Sequence, residues 1–596
     1  MDILKEFQGA IDIANRKNIE DYEEQMKLPL DERIAKGSTM ANFAVDFEFL
    51  LDLGLFSAVK IICENNISKF KEGSNVILSN KSHSFELYVE EDSIDNFILK
   101  PKRWCFLDRD NYPKNNWEIN SVKTDIETKL LTVAIQILQN NSFTFNKIDN
   151  FLNGRTKNRF GNFSQKVEYL NDSQNSAYLK AINASDFCLI QGPPGTGKTE
   201  TIANITKHLV DSGLKVFISA PTHTAINNCL NAISTKVKDA SKLIKIGEDA
   251  KNKEIKENEY ITKNTRLEYS TYKSSEFYSQ SGIAIGATTY LLCYPISKKL
   301  DDWVFDVAII DEASQMSIPL SIAAMCRTGK YIFVGDHKQL DPIIPKNSNN
   351  EMFSESIFSR LARLYPNEIN LLDTSYRLNE TLIKIPNNLF YENRLRADST
   401  TEKDNFQYNC AFHSQILNNE SHILINHNVF DAKGRSPYEA KLVAELVSDL
   451  LKNDVSISDI GIMSPYRAQV REIKKEIKKI LPKSITNLFE KLFVDTVDSM
   501  QGQERNYIIY SMANSHPLES MHRLDFFYSP NRLNVAITRA IKKCFVIANY
   551  KVFDIRHEEL KDHKEYTDIK ESLDIFKQYF SLSTKIELNQ TDDDEW

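Results

Sequence analysis

The stretch FCLIQGPPGTGKTETIANITKHLV, Phe187 to Val210, decides the fold. It opens on a short apolar run, turns through Gly192, Pro193, Pro194, Gly195, Thr196, Gly197, Lys198 and Thr199, and continues with apolar residues at helical spacing. The turn fits G-x-x-x-x-G-K-[ST] in the context that gives the pattern meaning, a strand before it and a helix after it. Small residues let backbone wrap a phosphate, while N–H groups and the helix N-terminus supply positive potential. In such a loop Lys198 is expected to reach the β/γ-phosphates of a nucleotide, and the Thr199 hydroxyl to ligate Mg2+. The bland alternative is a Gly/Pro-rich turn that merely starts a helix; the complete match in strand–loop–helix order argues against it.

Working outward, KVFISAPTHTAINNCL, VFDVAIIDEASQ and YIFVGDHKQL repeat the pattern of an apolar strand ending in small or acidic residues and followed by a helix. That alternation predicts a parallel sheet covered on both faces. HILINHNVF, ISDIGIMSPYRAQV, LFVDTVDSMQGQERNYIIYSM and KCFVIANY start a second series. The fold class is therefore α/β, with two tandem lobes expected over 170–352 and 353–560. A Lys/Glu-rich, Tyr-dotted stretch at about 236–280 reads as a helical insertion in the first lobe. Ahead of the lobes, 1–37 reads as a stalk helix with Ile3, Phe7, Ile11 and Ala14 at helical spacing. Short β-branched and aromatic runs over 38–115 suggest a small β-barrel-like unit. A returning helix follows within 116–169, with Ile126, Leu130, Val133 and Ile137 on one face, then an Asn/Lys/Gly-rich connector from Asn140 to Tyr169. A C-terminal helix and acidic tail are expected over 561–596.

Composition narrows the classes. With 596 residues, 41% hydrophobic and 26% charged, the chain is neither disordered nor fibrous. No apolar run approaches bilayer length, and MDILKEFQGAIDIANRK lacks the form of a secretory signal. A cytoplasmic protein with no membrane partner is expected. The net charge of −8 does not advertise a nucleic-acid binder, nor does it exclude a local basic groove. The eight cysteines are scattered, which argues against a zinc site or disulfide framework.

A phosphate loop needs a metal-holding carboxylate at a neighbouring strand end. VFDVAII ends in Asp311-Glu312: Asp311 is expected to hold Mg2+ through its water shell, and Glu312 to act as general base toward the attacking water. The next strand ends in GDHKQL, where Gln339 can bond the γ-phosphate or the water. Loops that follow strands elsewhere offer Pro221, Thr222, His223 and Thr288 in the first series, and Pro465 and Thr496 in the second. Carboxyl ends of strands are where open α/β sheets bind ligands, and hydroxyls and N–H groups there can hold phosphates without reading bases. His223 equally suits a helix start. KPKRW, Lys100–Trp104, is basic beside an aromatic, which fits a strand path or, more simply, a solvated edge.

The ordered set LNDSQNSA, phosphate loop, APTHTAINN, GATTY, DEASQ, GDHKQLDP, SYR, SPYRAQ, VDTVDSMQGQE and NVAITRA resembles the superfamily 1 helicases, and more narrowly their Upf-type branch, over about Leu170 to Tyr550. The resemblance implies two RecA-like P-loop NTPase lobes behind a stalk and β-barrel. It implies that Gln174 reads the adenine edge, Tyr376 stacks on the base, Arg377 touches the γ-phosphate from the second lobe, Glu504 bonds the ribose, and Arg539 is an arginine finger. It also implies an ATP-dependent motor, monomeric, moving 5′→3′ on single-stranded DNA or RNA, with protein partners unspecified. Asp341 stands where the branch usually has proline, and the branch's Cys/His-rich zinc domain has no counterpart. The same motifs would serve a nucleic-acid-stimulated ATPase that remodels complexes without processive unwinding.

Overall fold

The computed structural model describes residues 3–588 apart from 36, 53–54, 64–65, 67, 71–72, 93–96, 102–104, 107–111, 123–125, 248–251, 265–279, 290–303, 343–354, 402–419, 481–490, 517–523, 557 and 559–565. Lys102–Trp104 of the KPKRW run and the acidic tail lie outside the described residues. The chain divides into two units, one of Met1–Lys17 with Asp125–Glu402, the other of Asn18–Thr124 with Lys403–Trp596.

The first unit is built on an eight-stranded parallel sheet in the order Thr262–Asn264, Leu243–Ile246, Ile283–Gly286, Lys215–Ser219, Phe305–Ile310, Thr328–Gly335, Phe187–Gln191, Ile369–Leu371. Strand side chains alternate between faces, so FCLI feeds two cores at once. Cys188 and Ile190 pack with the helices Lys198–Asp211 and His223–Ser234. Phe187 and Leu189 pack with Ile318–Met325, Ile357–Leu364 and the helices Ile126–Asn140 and Ser142–Leu152. A strand buried on both faces must be apolar throughout, which is why alternation is missing from these runs.

The sequence reading differs from this unit at four places. The described part of 236–280 holds no α-helix, only a 3-10 turn at Lys253–Ile255: Leu243–Ile246 and Thr262–Asn264 add two parallel strands to the sheet edge, and LIKI is buried at all four positions. Ile369–Leu371 pairs with Phe187–Gln191, so first-unit chain runs past 353 to Glu402 and takes Tyr376 and Arg377 with it. The expected connector holds the helix Ser142–Leu152, which Asn141 caps by accepting from the Thr144 N–H and which Ile148, Phe151 and Leu152 anchor. In Ile126–Asn140 the described buried side chains are Leu131, Ala134, Ile135 and Leu138, with Val133 and Ile137 only partly buried beside them, and the side chains of Ile126 and Leu130 lie outside the described residues. At the N-terminus the helix Ile3–Lys27 buries Phe7 and Ile11, and a second short helix, Leu30–Ala35, follows Pro29.

The second unit holds a six-stranded parallel sheet, ordered Phe493–Thr496, Ile460–Ser464, Arg505–Ser511, Ala540–Asn549, His422–His427, Thr584–Leu588. The last strand lies beyond 560, in the stretch read as C-terminal helix and tail, and follows the helix Tyr566–Leu582. The same unit contains an antiparallel sheet, ordered Thr39–Met40, Glu118–Ser121, Asn75–Ser79, Ser84–Asp92, Phe97–Pro101, Leu55–Ile62, Ala44–Asp52, with Cys105–Phe106 beside Leu55–Ile62. It wraps a core that includes Phe43, Val45, Phe47, Leu87, Leu99 and Trp117. Among the described residues no helix is long and apolar enough to cross a membrane.

Candidate nucleotide site

The loop from Gly192 to Thr199 leaves the Phe187–Gln191 strand and enters the Lys198–Asp211 helix. Its carbonyls are engaged one after another. Gly192 O accepts from Lys198 Nζ at 2.6 Å, and Pro193 O from Thr196 Oγ1 at 2.8 Å. Pro194 O accepts from Ser375 Oγ at 3.0 Å, Gly195 O from the Tyr376 N–H at 2.8 Å, and Thr196 O from Gln174 Nε2 at 3.1 Å. Backbone polar groups at a turn must go somewhere. With the carbonyls tied to the protein, the N–H side of the turn is what an anion meets.

Glycine is required at two of these positions. Gly195 sits at φ 72°, and a Cβ there would lie 2.3 Å from Arg377 Cβ. Gly197 sits at φ 78°, with Gln174 Nε2 at 2.3 Å from its would-be Cβ. The residue pattern thus allows the Gln174 and Ser375–Arg377 segments to close on the loop.

Gln174 is buried, and its amide is committed at both ends: Oε1 accepts from the Asn171 N–H at 3.1 Å, completing a capping box for the helix Asp172–Asn183. Asn171 Nδ2 donates to Tyr376 Oη at 2.8 Å. Tyr376 is 43% exposed, and this bond orients its ring. Gln174, Tyr376 and Arg377 therefore surround the phosphate loop from within the first unit, although Arg377 was expected to arrive from the other lobe.

Asp311 ends its strand beside the loop and is buried. Burial and the neighbouring Glu312 carboxylate raise its pKa to about 7, against the opposing influence of Lys198 and the Glu312 N–H. Glu312 holds a left-handed backbone, φ 51°, uncommon for a residue with a Cβ and worth about 1–3 kcal/mol of strain. Behind the loop, the buried Asp336 carboxylate accepts from Gln191 Nε2 at 3.1 Å, Gln339 Nε2 at 2.9 Å, Tyr391 Oη at 2.7 Å and the Lys338 N–H at 3.2 Å. Gln339 in this structure is held toward Asp336.

Thr222, exposed, caps the helix His223–Ser234 by accepting from the Ala225 N–H. His223 Nδ1 lies 2.9 Å from the buried Lys245 Nζ, whose pKa burial lowers to about 8. Thr288 is half-buried after the Ile283–Gly286 strand. Pro221 precedes the Thr222 cap. In the second unit, Pro465 follows the strand Ile460–Ser464, Thr496 is the last residue of the strand Phe493–Thr496, Glu504 is exposed, and Arg539 is buried with Nη1 donating to Gln503 O at 3.5 Å.

Sequence reasoning missed Asn171, Ser375, Asp336 and Tyr391. Asn171 and Gln174 carry a readable capping signature, N-x-x-Q before a helix. Ser375 lies within the quoted SYR and Asp336 within GDHKQL, but nothing in the sequence marks Tyr391.

The fold and loop define a P-loop NTPase with two parallel-sheet α/β lobes. Two family models, each described as an AAA domain, match the chain, one over 169–289 and 285–347 and the other over 353–551. "DNA replication ATP-dependent helicase/nuclease JHS1" of Arabidopsis thaliana is 29% identical over 399 residues, 64% of this chain and 28% of that protein. "DNA replication ATP-dependent helicase/nuclease DNA2" of Bos taurus is 31% identical over 412 residues, covering 63% and 37%. "Uncharacterized ATP-dependent helicase MJ0104" of Methanocaldococcus jannaschii is 27% identical over 496 residues, covering 67% and 70%. The chain spans about a quarter of the length of the plant and yeast replication helicase/nucleases it matches. Among solved structures, arterivirus nonstructural protein 10 (helicase) with DNA aligns at a TM-score of 0.36 and 12% identity, over 86% of this chain and 78% of that one. By sequence the chain is similar to ATP-dependent helicases over both lobes.

Proposed function

We propose that this protein is an ATP-dependent helicase or translocase of the Upf-type branch that moves 5′→3′ along single-stranded nucleic acid. The carrying observation is the series of five engaged loop carbonyls, with Arg377 packed on Gly195 and Asp311 at the end of the strand two places along the sheet. Phosphoryl transfer is mostly positioning and charge neutralisation, and this loop is held ready for both.

Asp311 and Thr199 are the residues that would hold Mg2+. One carboxylate and one hydroxyl suit an ion that keeps most of its waters, and a bound cation would offset the cost of burying the Asp311 carboxylate. When bound, the ion neutralises charge on the transferring phosphate. Lys198 would leave Gly192 O for the β/γ-phosphates. Glu312 orients and deprotonates the attacking water. Gln339 would exchange its bond to Asp336 for one to the γ-phosphate or that water. Tyr376, oriented by Asn171, would stack on the base, and Glu504 would bond the ribose. Arg539 would serve as the arginine finger, worth about 10³–10⁵ in rate in related NTPases.

The relatives' printed names favour DNA as the strand. The test is ATP hydrolysis with and without polynucleotide, run beside strand displacement on matched DNA and RNA duplexes with 5′ or 3′ overhangs. Stimulated hydrolysis with displacement from 5′-tailed DNA is expected. Displacement from 3′ tails alone refutes the polarity. Stimulated hydrolysis with no displacement on any substrate favours the complex-remodelling ATPase instead.

A further inference from the structure

The antiparallel sheet belongs to the same unit as the second parallel sheet, and one buried charge cluster joins them. Asp92 ends the Ser84–Asp92 strand and meets the helix Arg467–Ile480. Arg471 Nη2 donates to Asp92 Oδ2 at 3.2 Å and Oδ1 at 3.4 Å, and to Phe70 O at 3.2 Å, while Nη1 donates to Ser68 O at 2.6 Å. One turn earlier, Arg467 reaches Asp92 Oδ2 with Nη1 at 3.5 Å and Asp495 Oδ1 with Nη2 at 3.4 Å. Lys474 shares the helix face, i+7 from Arg467; burial lowers its pKa while Asp495 and Asp92 oppose that shift.

Burial decides what these pairs are worth. The side chains of Asp92, Arg467 and Arg471 are 11%, 16% and 19% exposed, while Asp495, at the rim of the cluster, is 32% exposed. Solvated pairs contribute little, but removing one partner of a buried set strands the other charges and is strongly unfavourable. Position gives the cluster its meaning. Arg467 follows Pro465 by two residues, and Asp495 directly precedes Thr496, whose N–H donates to Asp495 Oδ1 at 2.7 Å. Both candidate strand contacts of the second sheet adjoin the cluster.

We propose that Asp92, Arg467, Arg471 and Asp495 form a clasp that fixes the antiparallel sheet to the strand-contacting edge of the second parallel sheet, with Arg467 as the positioning residue that joins them. This rests on the reading of Pro465 and Thr496 as nucleic-acid contacts. The antiparallel sheet then travels with that edge as one body. A strand held at the edge meets it at a fixed register, so each hydrolysis step opens base pairs rather than slipping.

Asp92→Asn removes the shared charge without touching the nucleotide site; Asp92→Glu keeps the charge. Strand displacement of a labelled, 5′-tailed DNA duplex and ATP hydrolysis, measured on the same samples, give base pairs opened per ATP. Asp92→Asn is expected to lower that ratio at least about tenfold, with hydrolysis in the absence of nucleic acid unchanged, and Asp92→Glu to restore half or more. An unchanged ratio, or an equal fall in Asp92→Glu, overturns the clasp. Should Asp92→Asn not fold, Arg467→Gln, which keeps the Asp92–Arg471 pair, takes its place with the same expectations. A second measurement does not depend on unwinding: pulsed electron resonance between spin labels on Ser82→Cys and Ser458→Cys, both exposed positions, in the full chain with its other accessible thiols replaced. One narrow distance distribution, broadened by Asp92→Asn, is expected. A broad distribution in the chain with Asp92 intact overturns the clasp even if that chain unwinds DNA. A narrow, Asp92-dependent distribution in a chain that displaces no duplex upholds the clasp and removes the helicase reading instead.

Discussion

Replacing Ser375 by alanine tests the loop architecture directly. Its Oγ, fully buried, donates to Pro194 O at 3.0 Å and accepts from the Leu378 N–H at 3.1 Å and the Arg377 N–H at 3.4 Å. Alanine fills the space but leaves a buried carbonyl and at least one N–H without their partner, a loss of about 1–3 kcal/mol. For a unit of roughly 300 residues that lowers the melting temperature by about 2–5 °C. The same change loosens the segment that carries Tyr376 and Arg377, so turnover should fall by about tenfold or more, since misplacement of positioning groups is costly. Ser375→Thr keeps the hydroxyl and should recover most of both. Differential scanning fluorimetry and steady-state ATP hydrolysis on the three proteins make the check. A Ser375→Ala protein with wild-type melting and turnover would falsify the claim that the Ser375–Arg377 segment holds the loop.

Asp311 gives a pH prediction with a definite sign. Its pKa is raised to about 7, so below that pH a proton competes with the metal, and affinity for Mg-ATP should fall about tenfold per pH unit. Because the folded state holds that proton more tightly than the unfolded chain, Asp311 removes stability as pH rises from about 4 to 7. Asp311→Asn should therefore raise the melting temperature more at pH 8 than at pH 5; the reverse ordering refutes the shift. Lys198→Ala should abolish hydrolysis, and turnover within about threefold of wild type contradicts the loop assignment. Gly195→Ala should drive Arg377 away, because the new Cβ would lie 2.3 Å from Arg377 Cβ; unaltered turnover in that variant would mean the close approach is irrelevant. For Arg539→Ala, equilibrium dialysis should return near-normal nucleotide affinity while hydrolysis collapses, and wild-type hydrolysis dismisses the finger.

Local pattern carried the parallel sheets because doubly buried strands cannot hide their composition. FCLI, VFI and VAII are unbroken apolar runs, and each is followed by a loop and helix that only a crossover connection explains. The pattern misled where a segment borrows its partner from far away. LIKI at 243–246 is too short to separate strand from helix by periodicity, and its Lys245 and the charged residues around it read as a solvated helix. Leu131, Ala134, Ile135 and Leu138 became the buried face of their helix because Cys326, the Ile318–Met325 helix and Phe7 lie against that side. At the site, the loop, Asp311 and Gln339 were legible because their chemistry demands fixed residue types at fixed strand ends. Tyr391 was not, since a single phenol finding a carboxylate 55 positions away has no local signature.

The Asp336 hub bears on the sensor role proposed for Gln339. A buried carboxylate is tolerated only while its lone pairs are filled, and Gln191, Tyr391 and the Lys338 N–H fill three of its bonds without Gln339. Asp336 would therefore keep three partners if the Gln339 amide turned to a phosphate oxygen. Gln191 ties the same carboxylate to the strand that launches the phosphate loop, so its departure from Asp336 would deform the loop as well. On the proposed reading the two glutamines have opposite duties: Gln191 holds the floor of the site still, and Gln339 gives up its bond to Asp336 when a γ-phosphate arrives.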